Sequence, residues 1–338
     1  MEQSDSPPNA GPPTVVFVTG GTGFIGSHLV EALLARGMEV RCLVRSELKW
    51  LEGLPVRVIQ GDLDDDEALR CGVAGAEYVF HVAGVTRARD WATFERANVT
   101  ATLRLLDLVA EHAPDIKRVL ITSSLAAVGP CTTGLEATEA DPMQPVSPYG
   151  RSKAEMETRI AEHGRGVPVT IVRPPSVYGP READIFTFFQ SVNRGLCPVV
   201  GDADRPELSL VHVRDLVRGM IEAAESDAAV GETYFVSSER PYAWSEVKRV
   251  TCAALGRSAL TLPVPVALVG VVGLLSEWAG KLTGTYPPLN RDKAREIRYT
   301  CKAGSPAKAM RDFGYRQQVS LEEGIAETIA WYRQAGWM

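Results

Sequence analysis

Val15 to Gly26 reads VVFVTGGTGFIG, and this stretch decides the fold. Val15–Val18 is a short apolar run, largely β-branched, suited to a buried strand. Glycines at 20, 23 and 26 then break the run. A helical pattern follows, with Leu29, Val30, Leu33 and Leu34 apolar and Gly37 as its C-cap. Strand, glycine turn and helix are the parts that hold a pyrophosphate. Glycines let the backbone turn tightly and the anion approach, and the helix start offers free N–H groups. The spacing is G-x-x-G-x-x-G rather than G-x-G-x-x-G, but the flanking strand and helix supply the context such a motif requires. Gly20, Gly23, Phe24, Ile25 and Gly26 are therefore cofactor-binding candidates.

Glu39–Val44 reads as a second strand, with Arg45 and Ser46 at its end. In a doubly wound sheet this end lies beside the adenosine ribose. An acidic residue there takes the 2′-hydroxyl of NAD, whereas an arginine accommodates the 2′-phosphate of NADP. Arg45, with Ser46 beside it and Lys49 or Arg41 as helpers, favours NADP(H) over NAD(H). Val56–Ile59 is a third strand, followed by Gly61-Asp62-Leu63. Asp62 accepts a hydrogen bond from the adenine, with Leu63 covering the ring, or N-caps a helix over 65–70, or does neither. Tyr78–Gly84 is the fourth strand and its exit, where Val82, Ala83 and Gly84 let a cofactor lie close to the backbone. His81 reads as a core histidine. Phe94–Glu111 has the pattern of an amphipathic helix. Asn98 on it either braces the neighbouring active-site backbone or is a packed or solvated asparagine.

Arg118–Ser124 is the fifth strand, with hydroxyls at Thr122, Ser123 and Ser124. Ligands in open α/β sheets bind beyond such carboxyl ends. Ser147-Pro148 then starts a helix, Ser147 as N-cap and Pro148 at the first position. Tyr149 and Lys153 fall at i and i+4 on one face. An ammonium beside a phenol favours the phenolate, so the pair exchanges a proton with a substrate hydroxyl near neutral pH. Lys153 also reaches for a nicotinamide ribose, and Ser124 orients the substrate oxygen. No G-x-S-x-G surrounds Ser123 or Ser124, so a serine hydrolase does not fit.

With TGGTGFIG, GDL (Gly61–Leu63), HVAG (His81–Gly84), TSS (Thr122–Ser124), YGRSK (Tyr149–Lys153), RPPSVYGP (Arg173–Pro180), VHVRDL (Val211–Leu216) and GETYFV (Gly231–Val236) in this order, the chain resembles the extended short-chain dehydrogenase/reductase superfamily. The resemblance implies an α/β, Rossmann-type doubly wound parallel sheet with a smaller, interleaved C-terminal substrate lobe. It implies Ser124, Tyr149 and Lys153 as catalytic residues and a pyrophosphate at Gly20, Gly23 and Gly26. It also implies a homodimer through the helices near 99–111 and 149–162. The family often shows V-Y-G after the catalytic serine; here Ala127-Val128-Gly129 stands instead. Relatives acting on nucleotide sugars carry polar and basic residues around the uridine diphosphate, and no such set is evident.

Domain limits follow from these motifs. Residues 1–13, polar and proline-rich, read as a disordered tail. The dinucleotide lobe spans 14–180 and is rejoined at about 208–238; 181–207 and 239–338 make the substrate lobe. Pro174 ends the sixth strand's regular pairing. Pro174 and Val177 lie on a loop over the nicotinamide. The rings of Phe186, Phe188 and Phe189 on a helix over 185–192 are expected to pack between lobes rather than line the pocket. Leu262–Gly280 is almost uncharged up to Leu275. A buried helix is the favoured reading, beside a lid over an apolar substrate and, over 264–280, peripheral membrane contact. Ser320 and Glu323 form a capping box for a final helix to Gln334.

The formal net charge of −6 argues against nucleic acid. Six scattered cysteines without a C-x-x-C suggest reduced, mostly buried thiols in a cytoplasmic protein, and no histidine spacing implies a metal. No apolar run spans a membrane. The expected function is reduction of a ketone, or its reverse, on an apolar small molecule that is sterol-, flavonoid- or long-chain-like. A sugar-nucleotide epimerase or dehydratase with tightly held NAD is the first alternative. A non-catalytic cofactor-binding regulator is the second.

Overall fold

The computed structural model describes residues 13–130, 136–163, 166–265 and 303–338. Seven strands form one parallel sheet: β1 (Val15–Thr19), β2 (Glu39–Val44), β3 (Arg57–Gln60), β4 (Tyr78–His81), β5 (Arg118–Thr122), β6 (Val169–Arg173) and β10 (Thr233–Phe235). Their order is β10-β6-β5-β4-β1-β2-β3. Alternation along β1 sends its side chains to opposite faces. Val16 and Val18 join Leu29, Leu33 and Met220 in one buried cluster, and Phe17 joins Leu69, Leu105 and Met156 in the other. The first cluster is built by α1 (Phe24–Ala35) and α7 (Val213–Glu225), the second by α2 (Asp66–Val73), α4 (Ala101–His112) and α5 (Pro148–His163). A sheet covered on both faces explains why its central strands read as apolar runs.

The order reverses between β1 and β4, which pair with Thr19 opposite His81. Their carboxyl ends diverge into a crevice, the place where ligands bind in such sheets. His81 is a core residue, as expected: Nδ1 meets the Thr19 hydroxyl at 2.7 Å and Nε2 the Thr102 hydroxyl at 2.9 Å.

Outside the large sheet, β7 (Ser176–Tyr178) pairs with β9 (Leu210–His212), and β8 (Leu196–Val200) pairs with β11 (Leu260–Val264), both in parallel. A third cluster gathers Tyr178, Phe189, Val192, Val250 and Tyr332 from β7, α6 (Phe186–Asn193), α8 (Trp244–Leu255) and α10 (Leu321–Gln334), with Tyr242 from the segment before α8. α9 (Ala307–Asp312) precedes α10. The capping box of α10 is present: Ser320 Oγ accepts the Glu323 N–H, and Glu323 reaches back to the Ser320 N–H.

Four local expectations change. Asp65, not Asp62, caps α2 by accepting the Ala68 N–H at 3.0 Å; Asp62 is exposed and accepts the Asp64 N–H at 2.9 Å. The helix over 94–111 is α3 (Trp91–Phe94), a π turn (Glu95–Thr100) and α4, with Asn98 in the widened turn. The rings of Phe186 and Phe189 pack on Tyr332, and that of Phe188 on Trp244, all within the third cluster. Leu262–Val264 belongs to β11, with Leu260 and Leu262 exposed, rather than opening a buried helix. The remainder of that stretch, 266–280, lies outside the described residues, as do 1–12. No described helix is long and apolar enough to cross a membrane.

Candidate active site

The site is assembled where β1, β4 and β5 end. Gly20 turns the chain at φ +77°, and a Cβ built there would stand 2.6 Å from the Ala83 nitrogen. A Cβ on Gly26 would stand 2.1 Å from the Gly20 carbonyl oxygen. The Gly23 N–H donates to that same oxygen at 3.0 Å. Only glycine therefore lets this turn fold down between β1 and the exit of β4. α1 starts at Phe24 behind Gly23, with no side-chain cap and no acidic residue in its first turn. Its leading N–H groups and the positive end of its dipole are left to an anion. Ile25 is half-buried against the core beneath.

Beyond the crevice, the Val82-Ala83-Gly84 exit runs beside Asn98 and Lys153. A Cβ on Gly84 would meet Asn98 Oδ1 at 2.9 Å and Lys153 Nζ at 3.4 Å. Asn98 is buried and clamps this backbone. It accepts the Val85 N–H at 2.8 Å and donates to the Val85 carbonyl at 2.9 Å and to Ser152 Oγ at 2.8 Å. The bracing alternative for Asn98 is the one the fold adopts. The π turn aims it there, a common use of such turns.

α5 carries Tyr149 and Lys153. Ser147 Oγ accepts the Gly150 N–H at 3.0 Å, so the helix starts where the Ser-Pro pair predicts. Gly150 lets it press on the 3₁₀ turn Leu125–Ala127: a Cβ there would lie 2.3 Å from the Ala126 oxygen. Ser124 caps that turn, its Oγ accepting the Ala126 N–H at 3.1 Å. Ser124 and Tyr149 thus sit on two directly packed elements, each half-buried. Lys153 is buried, and Nζ donates to the Thr122 carbonyl at 2.8 Å. Burial lowers its pKa to about 8, partly opposed by the Glu157 carboxylate. Burial, with the Lys153 charge added, pushes His81 down to about 3, so the imidazole is neutral.

The two adjacent serines have separate roles. Ser123 is buried and donates to Glu157, which also binds Arg173; Ser124 is left at the turn. The hydroxyl of Thr122 is buried without a hydrogen-bond partner among the described residues. Pro174 is held close by its carbonyl, which accepts the Leu125 N–H at 3.0 Å, and Val177 packs on the core beneath α1. Arg45 and Ser46 are exposed at the end of β2, with the Gln60 amide donating to the Arg45 carbonyl at 2.9 Å. Arg41 is not among their helpers. It donates to the Ala74 carbonyl at 2.7 Å and to Glu39 at 3.3 Å. Leu63 is half-buried against the cluster behind the sheet.

The glycine cradle, the uncapped α1 and the orphaned Thr122 hydroxyl beside Lys153 fit a dinucleotide laid across the crevice. Among the described residues, no three His, Cys, Asp or Glu side chains gather as a metal site.

The fold and the family it belongs to are those of NAD(P)-dependent dehydrogenases/reductases of the extended short-chain type. Residues 16–237 match the NAD dependent epimerase/dehydratase family, and the chain belongs to it. It is 30% identical to a ceramide reductase of Caulobacter vibrioides, with 96% of each chain covered. It is 31% identical to a sterol demethylase protein B of Methylococcus capsulatus, over 95% of this chain and 98% of that one. Among solved structures it resembles the dTDP-glucose 4,6-dehydratase DesIV of Streptomyces venezuelae with NAD bound, at TM-score 0.73 and 25% identity over 96% of this chain and 98% of that one.

Proposed function

We propose that this chain uses NADP(H) to interconvert a ketone and a secondary alcohol on an apolar substrate. The observation that carries this reading is the Lys153–Thr122 hydrogen bond, which ties the Tyr149 helix to the strand end that leads into Ser124. In reduction, Ser124 Oγ donates a hydrogen bond to the substrate carbonyl, and the Tyr149 hydroxyl delivers the proton to that oxygen. Lys153 holds the ribose and supplies the positive charge that favours the phenolate left behind. The nicotinamide, when bound, supplies the hydride that makes the carbonyl carbon a secondary alcohol carbon. Oxidation runs the same proton path in reverse. Arg45 and Ser46, exposed at the β2 end, receive the 2′-phosphate.

An apolar substrate is supported by the two relatives, a ceramide reductase and a sterol demethylase protein, and by the uncharged stretch at 266–275. The family match and the dehydratase structure favour a second reading, sugar-nucleotide chemistry on retained NAD. One assay separates the two. NADPH consumption is followed with 3-ketosteroid and 3-ketosphingoid substrates, and UDP- and dTDP-glucose conversion with no added cofactor. Turnover of the lipid ketones alone supports the proposal. Conversion of a sugar nucleotide without net NADPH loss replaces it with the second reading.

A further inference from the structure

Tyr149, Lys153 and Glu157 stand at i, i+4 and i+8 on α5, one turn apart on one face. Glu157 is 5% exposed, and so is its partner Arg173 at the end of β6. Arg173 Nε lies 3.0 and 3.1 Å from the two carboxylate oxygens and Nη2 lies 2.6 Å from Oε2, while Ser123 donates to Oε1. A carboxylate buried this deeply is costly to desolvate. Replacing such a pair with apolar side chains is often neutral or stabilising. Its retention one turn behind a buried ammonium calls for an electrostatic use.

We propose that Glu157 is a positioning residue for the reaction read above: its carboxylate is the counter-charge of Lys153, held in place by Arg173 and Ser123. The charges are a buried row of cation, anion and cation, running from Lys153 through Glu157 to Arg173. Arg173 grips this carboxylate with two of its nitrogens, Nε and Nη2. One of its nitrogens, Nη1, is buried with no hydrogen-bond partner among the described residues, so Glu157 is the group that anchors it. Other groups around the row do not replace Glu157. From β4, His81 is neutral. From β5, Thr122 offers a carbonyl and Ser123 a hydroxyl already given to Glu157. From the π turn, Asn98 is an uncharged amide. Glu139 lies on the far side, within the field of Arg173, and accepts the Phe235 N–H at 2.8 Å. The sign follows directly. Without the Glu157 charge, the buried Lys153 ammonium loses its counter-charge and gives up its proton at lower pH.

The test is a titration of Lys153 in the full chain carrying [ε-¹³C]lysine, its resonance assigned by its loss in Lys153→Arg. Glu157→Gln should lower the Lys153 midpoint by about one pH unit, as expected for removing one nearby opposite charge. With that shift, the alkaline limb of kcat/KM moves down equally, and the loss of kcat/KM is about fivefold greater at pH 8 than at pH 6. If Glu157→Gln alone does not fold because Arg173 is stranded, Glu157→Gln with Arg173→Gln removes both charges. Its Lys153 midpoint should still fall, by less than one unit. An unchanged midpoint in the variant that folds overturns the proposal. The titration needs no turnover. If Tyr149→Phe keeps full activity, the reaction reading fails while the Glu157 result stands on its own.

Discussion

Lys153 Nζ donates to the carbonyl of Thr122, the last residue of β5, at 2.8 Å. The ammonium is fixed to the sheet by backbone, so its position does not depend on the rotamer of any partner side chain. α5 therefore carries its phenol and its cation as one unit referenced to the strand end that leads into Ser124.

The Lys153 ammonium gives a first prediction, on pH. Its folded-state pKa is held near 8, below the ordinary lysine value. Reduction needs the ammonium, so kcat/KM for ketone reduction should fall as pH rises through about 8. A pH–rate profile with saturating NADPH checks this. A flat profile from pH 7 to 9.5 contradicts it.

Acid stability follows from His81 and His212, both held near 3 by burial. Each has a folded pKa below its unfolded value, so the unfolded chain binds more protons between about pH 6.5 and 3. Stability is full above that window and falls as pH drops through it. His81→Gln should flatten this slope in urea melts at pH 7, 5.5 and 4.5, even if the variant is weaker at pH 7.

Gly26→Ala sets a methyl 2.1 Å from the Gly20 carbonyl oxygen, which belongs to backbone and cannot swing aside. Overpacking of this kind costs about 1–3 kcal/mol. Because the strain falls on the phosphate turn, cofactor affinity should drop at least tenfold in a fluorescence titration. Gly75→Ala, strained by its φ of +68° at a turn where a Cβ meets nothing, is the control: it should cost stability and leave cofactor affinity unchanged.

Arg45→Asp tests cofactor choice. A charge-assisted arginine–phosphate contact contributes about 1.5–3 kcal/mol, or about tenfold to a hundredfold in affinity. The ratio of Kd values for NADP and NAD should shift toward NAD by that factor. An unchanged ratio removes Arg45 from the site.

Much of this architecture is legible in the sequence because its signals are local. The glycine turn, the Ser-Pro start of α5 and the Ser320–Glu323 box each encode their own conformation within a few residues, and the structure has all three. Long-range partnerships are not. The sequence leaves Asn98 open between bracing and plain packing, and nothing near it names Val85, 13 residues away in the chain, as its partner. Nothing near Glu157 names Arg173, which only the β5–β6 pairing brings beside it. The Y-x-x-x-K spacing does extend by one more turn to a glutamate, and that repeat was the available signal. Asp62 and Asp65 are both good caps, and the choice between them depends on where the chain leaves β3, which composition does not specify. Leu262–Val264, the start of the stretch read as a buried helix, pairs with β8 from beyond α7, β10 and α8, a partner that nothing local announces.

The most direct test is single-turnover oxidation of bound NADPH by Tyr149→Phe with a ketone substrate that the unaltered protein reduces. If Tyr149 delivers the proton, the cofactor binds with unchanged affinity and the rate falls by about a hundredfold or more. Undiminished turnover with cofactor bound would contradict the account.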